Sequence, residues 1–179
     1  SQNEIGDLGD VGKFYNVENE KGYIFTIDDD LVYPSTYADD CIHEIEACQR
    51  KAVVTCHGRI FPNRPITSLY RDYDEAFHCL RYTRRNFIHM LGTGVTAFHS
   101  DTIVPPFSIF KRKNMADVWL SILLQKKKIP ILCMQHNDGY IRESEKYDRS
   151  YTIWNYLHNN DQYQTEQINK IQSWQIFTV

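Results

Sequence analysis

Three consecutive carboxylates, Asp28, Asp29 and Asp30, close the apolar run Tyr23-Ile24-Phe25-Thr26-Ile27. Like charges set side by side repel, and a divalent cation held between their oxygens relieves that repulsion. Hard oxygen donors of this kind suit Mg²⁺, Mn²⁺ or Ca²⁺ better than zinc. A solvated acidic turn before a helix is the plainer reading of the same triplet. Two more polar groups stand at comparable places along the chain. Asp117 lies three residues after Asn114 at the start of an apolar helical pattern, and His136 follows another strand-like run. Taken singly, Asp117 reads as a capping-box carboxylate and His136 as a hydrogen-bonded structural histidine. Taken together with the triplet, they outline one polar site.

The elements that must position these groups follow from periodicity. The run from Gly22 to Ile27, rich in β-branched and aromatic residues, reads as a buried strand whose C-terminal end carries the acids, where open α/β sheets bind ligands. Pro34-Ser35-Thr36-Tyr37 opens a helix, with Thr36 and Asp39 spaced as a capping box and an apolar face of Cys41, Ile42, Ile45 and Cys48, ending near Arg50-Lys51. Ala52 to Cys56 is a second strand, so the order strand, helix, strand predicts a parallel crossover. Ile66 to Asn86 has no clean period and reads as an irregular excursion or short strands with aromatic surfaces. Gly92-Thr93-Gly94 precedes a further strand through Phe98 and lets backbone approach a ligand closely, as it also would in a plain turn. Met115 to Lys127 fits helical spacing with Asn114 as N-cap, and Ile129 to Met134 is a strand delivering Gln135-His136-Asn137. Beyond Asp138 a weaker helical pattern includes Ile168, Ile171 and Trp174.

Composition narrows the function classes. A chain of 179 residues, 42% apolar, buries one core. A net charge of -3 and pI near 6.1 argue against a nucleic-acid partner. The basic run Lys126-Lys127-Lys128 complements a helix C-terminus. Five scattered cysteines, with no Cys-x-x-Cys pair, read as reduced, buried thiols of a cytosolic protein and not as a disulfide frame or zinc site. No stretch reaches the length of a membrane span, and the polar start is no signal peptide.

The order of these landmarks resembles the GT-A type glycosyltransferases of the family 2 kind: Phe25-Thr26-Ile27-Asp28-Asp29-Asp30 followed by Tyr33-Pro34, Gly92-Thr93-Gly94, Asn114-Met115-Ala116-Asp117 opening a helix, and His136 after the next strand. The resemblance covers about residues 9–137. It implies an α/β fold, a partial GT-A (Rossmann-like), mostly parallel sheet flanked by helices, with residues 1–137 catalytic and 138–179 an aromatic, helical extension packed on the same domain. It implies transfer of a sugar with inversion from a nucleotide-diphosphate sugar to a glycan hydroxyl. Asp28 and Asp30 would hold Mn²⁺ or Mg²⁺, with Asp30 the direct ligand and His136 a further one. Asp28, Asp29, Asp30 and Lys13 would meet the donor diphosphate. Asp117 would be the base, and Gly92, Thr93, Gly94 and Arg59 would meet the acceptor. The setting implied is cytoplasmic, at the inner face of the membrane with peripheral association.

The chain departs from the family before the metal motif, where members carry a nucleotide-base-binding half and only Ser1 to Ile27 stand here. The expectation is a shortened sheet with an exposed edge, prone to self-association. Two other classes fit the same residues. One is a metal-dependent phosphohydrolase built on Asp28 to Asp30, Asp117 and His136. The other is an inactive binding or assembly module using Tyr147, Tyr151, Trp154, Tyr156 and Trp174 as a contact surface.

Overall fold

A computed structural model describes residues 6–145 and 160–179. Its centre is a five-stranded sheet in the order β1 (Tyr23–Ile27), β8 (Val95–His99), β3 (Val53–Thr55), β9 (Ile131–Cys133), β6 (Asn86–Ile88). Alternation builds two cores from this one sheet, because neighbouring residues on a strand point to opposite faces. Val54, Val95, Ala97 and Leu132 face the helix α1 (Tyr37–Ala47), which contributes Tyr37, Cys41 and Ile45. Val53, Phe98, Ile131 and Cys133 face the other layer, where α2 (Ala116–Lys127) brings Val118, Leu120 and Leu124. The molecule is therefore mixed α/β, with helices on both faces of the sheet.

The pairing corrects the expected mostly parallel sheet. Only β3 and β9 pair in parallel, through the crossover containing α2; β1 with β8, β8 with β3, and β9 with β6 are antiparallel. β1 and β3 do run in the same direction, as the strand, helix, strand order predicts, but β8 lies between them. All five residues of β8 are buried, which suits an interior strand. Periodicity identified that segment as a strand and carried no information on its neighbours.

The segment without a clean period contributes one strand, β5 (Glu75–Phe77), to a second, three-stranded antiparallel sheet, whose other strands, β4 (Gly58–Ile60) and β7 (Met90–Leu91), lie before and after that segment. A short pair, β2 (Leu31–Val32) with β10 (Arg142–Glu143), follows the acidic triplet. Helix α3 (Gln162–Asn169) docks on the excursion: the Leu69 N–H donates to Thr165 Oγ1 at 2.9 Å, and Asn169 exchanges two hydrogen bonds with Ile66. Trp174 packs edge-on against Phe61 with ring centres 5.2 Å apart, so it is part of the packing here. Tyr147, Tyr151, Trp154 and Tyr156 lie outside the described residues. The five cysteines are free thiols. Among the described residues no helix is long and apolar enough to cross a membrane.

Neither expected cap forms as spaced. Thr36 makes no side-chain bond at the start of α1. At α2, Asn114 sits in the left-handed region at φ 61°, and the exposed N–H groups are taken by a residue from far away in sequence. The Asp10 carboxylate, on the 3-10 helix Gly9–Phe14, accepts from Asn114 N–H at 2.5 Å and from Ala116 N–H at 2.7 Å. A half-buried carboxylate thus satisfies the first orphan donor of the helix, Ala116 N–H, together with the Asn114 N–H just before it. Asp10→Ala is expected to cost about 1–2 kcal/mol, seen as a lower melting temperature by circular dichroism; an unchanged melting point would remove Asp10 as the cap.

Candidate functional site

A cleft of about 650 Å³ opens where β1 and β3 end and β8 begins, a size typical of small-ligand sites. Its walls include Asp10, Lys13, Asp28, Asp29, Asp30, Arg59, Gly92, Thr93, Gly94 and Asp117, drawn from five separate segments. Asp28 and Asp30 are half-buried, whereas Asp29 is exposed, the alternation expected just past a strand.

Asp28 is fixed on three sides. Its N–H donates to Tyr33 Oη at 2.9 Å, and the Tyr33 hydroxyl donates to the Gly94 carbonyl at 2.5 Å, tying the triplet to the turn before β8. The Lys13 ammonium pairs with its Oδ1. A Cβ on residue 94 would stand 1.8 Å from Asp28 Oδ2, so glycine there is what lets the carboxylate lie against the backbone. Burial, and next the Asp28 charge beside it, push the Asp30 carboxyl above the usual range, with Asp29 adding to the effect. Negative charge is therefore concentrated at this corner of the cleft.

In the same cleft, Asp117 Oδ1 accepts from Val118 N–H at 2.8 Å. Asp10 takes the Ala116 N–H and Asp117 the Val118 N–H, and the Asp117 carboxylate lines the cleft. Burial, reinforced by the Asp10 charge, pushes its carboxyl up to about 6, against the opposing pull of Arg59 and Lys13. A carboxylate with that proton affinity is ionised near neutral pH and still a competent proton acceptor. Arg59 lies over the rings of Tyr70 and Tyr73, at 5.0 and 5.7 Å from their centres, which orients its guanidinium on the cleft wall. The turn Gly92-Thr93-Gly94 is held by Gly92 N–H donating to the His57 carbonyl at 2.9 Å and by the Thr96 hydroxyl donating to the Gly92 carbonyl at 2.8 Å.

The fold brings together every expected site residue except His136. That ring is buried away from the cleft, with Nε2 3.1 Å from the Cys56 carbonyl oxygen and its face stacked on Tyr140. Its backbone pairs with Thr83 in an isolated bridge. The structural reading of this histidine is the one its contacts match.

Several cleft residues were not singled out from the sequence. Asp10 carries no local signal in the sequence, yet it caps α2 and raises the proton affinity of Asp117. His57, His78 and Cys79 enter the cleft from either side of the second sheet, and Glu143 enters from β10. No local spacing joins His57 to His78; the ladder between β4 and β5 does. The sequence matches none of the known protein families, and no curated protein matches it.

Proposed function

We propose that this chain is the catalytic part of a metal-dependent inverting glycosyltransferase of the GT-A type, moving a sugar from a nucleotide-diphosphate sugar to a glycan acceptor hydroxyl. The observation that carries the reading is the single cleft that gathers Asp28, Asp30, Lys13, Gly94, Arg59 and Asp117 from distant parts of the chain. The donor set fits a hard divalent ion: the carboxylates of Asp28 and Asp30 both line the cleft, where burial and then the Asp28 charge hold the Asp30 carboxyl above its ordinary value. Mn²⁺ or Mg²⁺ bound there would neutralise charge on the departing nucleotide diphosphate.

The chain's own groups supply the remaining parts of the mechanism. Lys13, paired with Asp28 in the free chain, is placed to exchange that partner for a phosphate oxygen when the diphosphate enters. Asp117 takes the proton from the acceptor hydroxyl as that oxygen attacks the anomeric carbon from the face opposite the leaving diphosphate. Arg59 and the Gly92-Thr93-Gly94 turn border the space left for the acceptor. The base and the carboxylate pair occupy different segments of the cleft wall, as a single displacement with donor and acceptor on opposite sides requires.

Isothermal titration of Mn²⁺ with UDP and with GDP tests the reading: nucleotide binding that requires the metal supports it, and metal-independent binding or none overturns it. Gly94→Ala sharpens the same experiment. The added methyl drives the Asp28 carboxylate off its seat, so Mn²⁺ affinity should fall about 10–100-fold, comparable to losing a group that orients a metal ligand, while the melting temperature changes little. Unaltered Mn²⁺ affinity in Gly94→Ala would remove Asp28 from the metal site.

A metal-dependent phosphohydrolase is favoured by one observation: His57 and His78 share the cleft with the carboxylates although they are far from them in sequence. Release of sugar 1-phosphate and nucleoside monophosphate from the nucleotide sugar, without glycan extension in the presence of acceptor, would select that reading.

A further inference from the structure

We infer that His57, His78 and Cys79 form a second cation site in this cleft, chemically distinct from the carboxylate pair and suited to Zn²⁺. One ligand atom from each residue lies within 4.8 Å of the other two. In a tetrahedral zinc centre with bonds of about 2.0–2.3 Å, ligand atoms stand roughly 3.3–3.8 Å apart. The cluster needs a contraction of at most about 1.5 Å to reach that spacing, within reach of side-chain rotation. Two imidazoles and a thiol are the borderline-soft set that zinc takes and that Mg²⁺ and Mn²⁺ do not.

The fold preorganises the three groups. β4 and β5 pair in antiparallel register with Gly58 opposite Phe77, so the next position along the ladder sets His57 opposite His78. The two rings meet edge to face with centres 5.2 Å apart. The His57 ring rests against Gly92, where a Cβ would come within 2.9 Å of its Cδ2. Its Nδ1 accepts a long contact from Cys79 N–H at 3.4 Å, and His78 Nδ1 one from Leu80 N–H at 3.3 Å. Contacts of that length contribute little, so both lone pairs exchange cheaply for a metal bond. The cleft is also charged to receive a cation: six carboxylates line it against the two cations Lys13 and Arg59. Cys79 ligates as the thiolate, its proton passing to water, and the fourth position faces the open cleft, the arrangement of three protein ligands with one exchangeable place.

This inference does not depend on the transferase reading. Co²⁺ is the probe, titrated into the reduced protein and followed by absorption, because a thiolate ligand gives a near-ultraviolet charge-transfer band and a tetrahedral site gives visible bands. One equivalent of Co²⁺ is expected to produce both. Cys79→Ser should abolish the ultraviolet band, His78→Gln should weaken affinity by at least roughly 10-fold, and Asp30→Ala should leave the band in place. Zn²⁺ should displace the cobalt. Absence of the ultraviolet band, its persistence in Cys79→Ser, or unchanged affinity in His78→Gln overturns the site. The partly exposed positions of His78 and Cys79 make folding failure in these variants easy to exclude by circular dichroism. Metal-dependent UDP binding, measured separately in Cys79→Ser, reports on the carboxylate pair alone, so loss of either site is seen without loss of the other.

Discussion

Asp117→Asn is expected to abolish sugar transfer and, in the same molecule, to raise the melting temperature. The two effects share one cause. Burial and the Asp10 charge push the Asp117 carboxyl up to about 6 in the folded chain, against about 3.9 in an unfolded one. A group whose folded value is raised stabilises the fold while it is protonated and loses that contribution as pH rises through the window from about 3.9 to 6. At pH 7 the ionised carboxylate therefore opposes folding by about 1–3 kcal/mol. Asparagine keeps the oxygen that accepts from Val118 N–H and removes the charge, so the melting point should rise by several degrees. Turnover should fall about 10²–10⁴-fold, the scale of a lost general base. UDP binding with Mn²⁺ should persist, because the donor side of the cleft is untouched. On the proposed function, the unaltered protein should lose kcat/KM below about pH 6 as Asp117 takes up a proton, and Asp10→Ala should move that limb to lower pH. A variant with full activity, or a pH profile flat through 6, would remove Asp117 as the base.

The sequence displayed the residues that line the cleft more plainly than the pairing of strands. The acids past β1, the apolar period of α2 and the glycines before β8 are local signals, and the structure brings all three to one cleft. Strand order is not local: β8 inserts between β1 and β3 because its neighbours on both sides bury it, and alternation in Val95 to His99 reads the same beside any partner. His136 is a related case. Its place after a strand matched the position of a ligand, yet the Cys56 carbonyl lies close enough to engage its ring, and no spacing along the chain records that contact. Asp10 shows the converse case. Capping rules placed the cap at Asn114 because they search within a few residues, whereas the bond that forms spans 104 positions. His57 and His78 escaped notice because only a cross-strand register joins them, and a cysteine without a near neighbour reads as a core thiol until the ladder sets it beside two imidazoles.

Asp30→Ala should produce shifts of opposite sign in the free and liganded protein. In the free chain the Asp30 carboxyl is raised above its ordinary value by burial and by the charges of Asp28 and Asp29. By the same linkage its ionised form opposes folding at neutral pH, so removing it should raise the melting temperature of the metal-free protein slightly. With Mn²⁺ and UDP the order reverses. A ligand at about 100 times its dissociation constant stabilises the unaltered protein by about 2.7 kcal/mol, a rise of roughly 5–10 °C for a chain of this size. Asp30→Ala should lose nearly all of that rise, because Asp28 is left as the remaining half-buried carboxylate of the triplet, one protein ligand where two held the ion. The crossover separates the proposed role from a structural one: a residue that served only the fold would lower both melting curves together. A variant that melts higher alone and gains nothing from Mn²⁺ and UDP carries the metal assignment; one that keeps the full ligand-induced rise ends it.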